Sequence, residues 1–216
     1  MTLSTIRAMQ LSDSSFPTGV FAFSWGLEGA LADGQVCKNT LVDWVCSELR
    51  TRWFRFDRIA LAGGHRLSGT ELTDWFDTID TLMPAELLRR ESAQAGDALF
   101  ASARALRINM DPGAVAAQIQ GAGHFSVAHG VFLAACGLDL PSALAASALS
   151  MARGAFSTAV RLGISGAITT QRDLLGLAPL IAEMVVVPDP SELPSGFMPL
   201  SDVALMRPRS GRLFIN

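Results

Sequence analysis

Apolar residues recur along this chain at steps of three and four, the spacing of helices that bury one face. Val42, Val45, Cys46, Leu49, Trp53, Phe56 and Ala60 form one such stripe, about five turns long. Thr40 stands just before it, with Asp43 three residues on, close to a capping box. Gly63-Gly64 is expected to weaken or end this helix. Upstream, residues 22–33 read as a short helix with Phe23, Leu27, Ala30 and Leu31 inward. Asp33-Gly34 closes it, because glycine accepts the left-handed conformation of a C-terminal cap. Leu88, Ala95, Leu99, Ala103 and Leu106 mark a long helix over 85–107, and Asp111-Pro112-Gly113 reads as a turn. Two alanine-rich helices, 123–136 and 141–162, are separated by Gly137 and Pro141. A last helix spans 168–185, where Pro179 should kink or divide it.

No stretch alternates polar and apolar residues for a useful strand length, and no hairpin signature or fixed repeat occurs. The expected architecture is all-α: a single-domain helical bundle over residues 1–186 with a flexible C-terminal tail. Residues 187–199, VPDPSELPSGFMP, read as a Pro-rich linker rather than a packed element. Residues 200–216 read as a partner-binding tail. Residues 12–19 are a loop by composition.

Composition sharpens this picture. Half of the 216 residues are hydrophobic and only 17% are charged, against about 25% in an ordinary soluble domain. Apolar surface beyond the core is therefore expected, and such surface is usually covered by partners. The net charge is −3, which supplies no field to attract nucleic acid. Between Pro112 and Ala152 the only charge is Asp139. Even so, Gln118, Gln120, His124, His129 and Pro141 interrupt the run, so buried helices are expected rather than a membrane span. The N-terminus lacks the form of a signal peptide. Cys37, Cys46 and Cys136 are odd in number and form no C-x-x-C, which points to reduced thiols and a cytoplasmic location.

The sequence carries few residues in the patterns that chemistry needs. The only lysine, Lys38, is not in a phosphate-binding loop. His124 and His129, five apart, would diverge by about 140° on a regular helix and cannot share an ion. No H-E-x-x-H motif or cysteine pair provides a metal site, and no cofactor is expected. Ala22-Phe23-Ser24-Trp25-Gly26 looks like a hydrolase nucleophile elbow, which makes a small serine hydrolase using Ser24 the alternative reading. That elbow needs a preceding buried strand and a later base histidine. A loop precedes Ser24 and no histidine follows His129, so Ser24 reads instead as a helix-start residue. Arg161, in an apolar run before a glycine break, is a candidate partner contact. Glu28 is placed on the face of its helix away from Leu27 and Leu31, a position that suits either a partner contact or a solvated carboxylate.

The segment Gln10-Leu11-Ser12-Asp13-Ser14, Phe16-Pro17-Thr18-Gly19 and Phe21 through Glu28 resembles the N-terminal signature of the urease accessory protein UreF family. Further matches are Arg90-Glu91-Ser92 with Gly96, Gly123-His124-Phe125, Ala128, Gly130, Ala135, Gly137-Leu138, Ala159-Val160-Arg161-Leu162, Gly166, Gln171 and Arg212-Leu213-Phe214. The resemblance implies a helical, homodimeric protein without a nickel or nucleotide site of its own and without catalytic activity. It further implies assembly with UreD (also called UreH), the GTPase UreG and apo-urease for nickel insertion. On this resemblance the partner-binding residues are Pro17, Gly19, Glu28, Arg161, Arg212, Leu213 and Phe214. The chain departs from the family at Phe23, at Arg161 and in its Phe214-Ile215-Asn216 ending, which leaves room for a helical scaffold serving another metalloenzyme.

Overall fold

The computed structural model describes residues 3–11, 16, 26–83, 85–188 and 193–195, and among these every regular element is helical. In chain order they are α1 (Leu3–Leu11), α2 (Leu27–Ala32), α3 (Leu41–Glu48), a π-helical segment (Leu49–Asp57), α4 (Arg58–Arg66), α5 (Gly69–Leu82), α6 (Glu86–Ala105), α7 (Pro112–Ile119), α8 (Phe125–Ala135), α9 (Leu140–Arg161) and α10 (Ala167–Val186). α8 lies at the centre between α4 and α6. α9 carries α10, α1 and α2 on its sides, and α7 packs on α5. No helix is long and apolar enough to cross a membrane among the described residues.

The stripe beginning at Val42 is one continuous helical rod, α3 through α4, with a π turn in its middle. Val45, Leu49 and Trp53 are buried at the α-helical step of four. The next fully buried large side chain is Arg58, five residues on. Five residues is the reach of a π turn, which bonds i to i+5 and so turns less per residue. Phe56, inward by a uniform α period, is half-buried as a result. Trp53 is fixed from α9, its Nε1 donating to Ser147 Oγ at 3.2 Å.

The glycine pair does not end this rod, contrary to the sequence reading. α4 runs on to Arg66 because both glycines are contact points. A Cβ on Gly64 would meet the carbonyl of Val127, one on Gly63 would meet the Trp75 indole, and one on Gly130 would meet the carbonyl of Leu61. α4 and α8 thus touch backbone to backbone, and their small residues set the interhelical distance. Trp75 Nε1 also donates to the Ala60 carbonyl at 3.0 Å.

Other expectations shift in smaller ways. Thr40 precedes α3 without capping it through its side chain; its hydroxyl accepts from the Cys37 amide at 3.0 Å instead. Asp111-Pro112-Gly113 is a helix start rather than a plain turn. Asp111 Oδ1 accepts from Gly113 N at 2.8 Å and from Gly69 N at 3.0 Å, which ties the beginnings of α7 and α5 together. The α5 and α7 spans were not expected from periodicity. Leu106, expected inward, is 47% exposed just past the end of α6. Pro179 leaves α10 undivided. It sits on the exposed side, where water can serve the carbonyl it leaves without a donor. Gly34 (φ 71) and Gly137 (φ 78) close α2 and α8 in the left-handed conformation.

Candidate partner-binding surface

Each histidine has a structural setting. His65 Nε2 lies 2.9 Å from the Leu138 carbonyl. His124, almost fully buried ahead of α8, places Nε2 2.9 Å from Asp80 Oδ1. Burial pushes its imidazole below the usual value, although Asp80 works in the other direction. His129 is enclosed in α8 with its ring 5.1 Å from that of Phe125. Desolvation lowers its pKa to about 4, so it is a neutral core residue at physiological pH. Among the described residues no group of three or more His, Cys, Asp or Glu side chains could hold a metal ion.

The polar contacts inside the bundle tie helices to one another. Ser126 Oγ donates to Asp57 Oδ1 at 2.6 Å, and Arg52 Nε stands 3.6 Å from Asp57 Oδ2. Burial still holds the Asp57 carboxyl above the usual range. Ser92 Oγ accepts from the Phe125 amide at 3.2 Å, joining α6 to the start of α8. The three cysteines are free thiols; burial raises Cys46 and Cys136, whereas the Thr40 hydroxyl lowers the exposed Cys37.

Apolar side chains that the core leaves outside are grouped by helix. On α1, Leu3, Ile6 and Met9 are exposed at steps of three. On α10, Ile168 and Leu175 are nearly 80% exposed, seven residues apart, and Val186 and Val187 follow at its end. On α7, Val115 and Ile119 are exposed one turn apart. Helical spacing makes each group a ridge rather than a scatter, and apolar ridges of this kind mark contact surfaces.

Two of the seven sequence-derived contact residues fall among the described residues. Arg161 is the last residue of α9 and is exposed. Glu28, in the first turn of α2, is half-buried rather than turned to solvent. α2 is only six residues long and lies against α9, so few of its positions can avoid the bundle. Pro17, Gly19, Arg212, Leu213 and Phe214 lie outside the described residues, as do Ser24 and the tail over 200–216. Sequence reasoning missed Arg58, which is buried although charged. Its guanidinium donates to the carbonyls of Met184, Val187 and Pro188 at 3.3, 2.8 and 3.2 Å and stacks 4.5 Å from the Phe54 ring centre. A five-residue step after Trp53, in place of four, was the only signal that could have found it.

The class defined by this fold and surface is an all-α bundle that presents apolar helix ridges. The profile of the UreF family matches residues 36–178. Proteins named urease accessory protein UreF are 33% identical in Cereibacter sphaeroides, 32% in Rhizobium etli and 32% in Agrobacterium fabrum. These alignments cover 85%, 80% and 84% of this chain and 83%, 74% and 78% of those relatives. The chain belongs to the UreF family.

Proposed function

We propose that this chain is the scaffold of a cytoplasmic urease-maturation assembly. It joins UreD (UreH) and the GTPase UreG to apo-urease for nickel insertion, and it performs no catalysis itself. The observation that carries this reading is the match to proteins named urease accessory protein UreF over most of the chain. The exposed ridges on α1 and α10 support it physically, since they are surfaces a partner or a second copy would cover.

In this reading the tail is a docking peptide for UreD, with Leu213 and Phe214 as anchors and Arg212 beside them. An extended segment pays to be ordered on binding, so its affinity must come from a few buried side chains. Pro17, Gly19, Glu28 and Arg161 face UreG and bias its nucleotide state. The exposure of Arg161 at the end of α9 fits a contact that a partner could reach.

Reconstitution tests the proposal. Apo-urease, nickel, GTP, UreD and UreG are combined with and without this chain, and urease activity is followed. Activation that depends on the chain is the expected result. Equal activation in its absence would remove the proposed role.

A further inference from the structure

Arg58 makes contacts that bundle packing alone does not require. It is 1% exposed, and burying a guanidinium is unfavourable unless its donors are satisfied. Three of its hydrogen bonds go to backbone carbonyls at the end of α10 and just past it. Met184 lies in the last turn of the helix, and Val187 and Pro188 follow it. A cation at a helix C-terminus meets carbonyls that have no intrahelical donor and the negative end of the helix dipole. The Phe54 ring covers the guanidinium.

A second attachment lies beside the first. The amide of Ser195 donates to the Arg55 carbonyl at 3.0 Å, and Pro194 before it is buried. Phe54, Arg55 and Arg58 fall within five consecutive residues at the end of the π segment and the start of α4. The chain leaving α10 is therefore fastened to that one turn at Val187-Pro188 and again at Ser195. Sequence composition reads 187–199 as unpacked, yet its described residues include both attachments.

We infer that Arg58 is a latch, which together with the Arg55 carbonyl straps Val187-Pro188 and Ser195, beyond the end of α10, to the turn that joins the π segment to α4. The π turn is what makes the latch possible, because a regular α-helical step would bring position 57 inward instead. The strap is a property of the isolated chain and requires no partner.

Hydrogen exchange and limited proteolysis on the full chain test it with two variants. Arg58→Met keeps an unbranched side chain in the core and removes the donors. Ser195→Pro removes the Ser195 amide that donates to the Arg55 carbonyl, at a position outside every helix. The latch predicts that Arg58→Met raises amide exchange over 184–195 at least tenfold while α8 stays protected. It also predicts that both variants are cut by proteinase K within 187–200 at least tenfold faster than the parent. Unchanged exchange and cleavage in folded variants would overturn it. Should Arg58→Met loosen α8 equally or fail to fold, Ser195→Pro decides: faster local cleavage upholds the strap, and parental cleavage overturns it.

Discussion

Gly64 on α4 rests against the carbonyl of Val127 on α8, with no room between them for a methyl group. The contact repeats one turn along, where Gly130 on α8 meets the carbonyl of Leu61 on α4. This paired close approach holds the central helices together, and an added Cβ must push them apart.

Gly64→Ala should therefore destabilise the fold by about 1–3 kcal/mol, the usual cost of overpacking. Gly154, inside α9, has open space around its missing Cβ. Gly154→Ala should stabilise by about 0.5–1 kcal/mol, because alanine is the better helix residue. Urea unfolding monitored by circular dichroism measures both, and opposite signs are the expected outcome.

Acid should weaken the fold through His129. Its folded pKa of about 4 lies below the ordinary 6.5, so the unfolded chain binds the proton more tightly. Stability from keeping it neutral is fully present above pH 6.5 and is lost as pH falls toward 4, by about 2 kcal/mol at pH 5. His124 is held low by burial and acts in the same direction. Asp57, whose carboxyl is raised by burial, opposes them, since its contribution grows as pH falls. Urea midpoints at pH 7.5 and pH 5 should differ clearly in the parent and less in His129→Leu.

Arg161 is exposed at the end of α9, so Arg161→Ala should change unfolding stability by no more than about 0.5 kcal/mol. If it contacts the GTPase, the same substitution alters GTP hydrolysis in the assembled complex. Hydrolysis measured in the complex, beside the unfolding curve of the free chain, separates these effects. An unchanged rate would remove Arg161 from the proposed contact.

The fold class was readable from apolar spacing because most helices obey one period and bury one face. The long α6 and α9 emerge at nearly their observed bounds. What escaped were positions where tertiary contacts override local preference. Gly63 and Gly64 read as helix breakers, since their value lies in helices distant in sequence. Asp111 read as part of a turn, although it bonds the start of two helices. Arg58 could not be placed inward with a uniform period, because the π turn shifts the register by one residue. Glu28 was placed on the solvent face by pattern, but in the first turn of α2 it is half-buried, while Ala32 one turn on is exposed. Of the proposed contact residues, the sequence offers resemblance alone for Pro17, Gly19 and the Arg212-Leu213-Phe214 group.

The central claim is that this bundle works by being held by other proteins, with its final residues as a principal handle. Co-expression with UreD, of the full chain and of a version ending at Leu200, tests this most directly. Retention of UreD by the full chain, and its loss from the shortened chain at unchanged helicity, is the predicted result. Equal retention by both, or by neither, would contradict it.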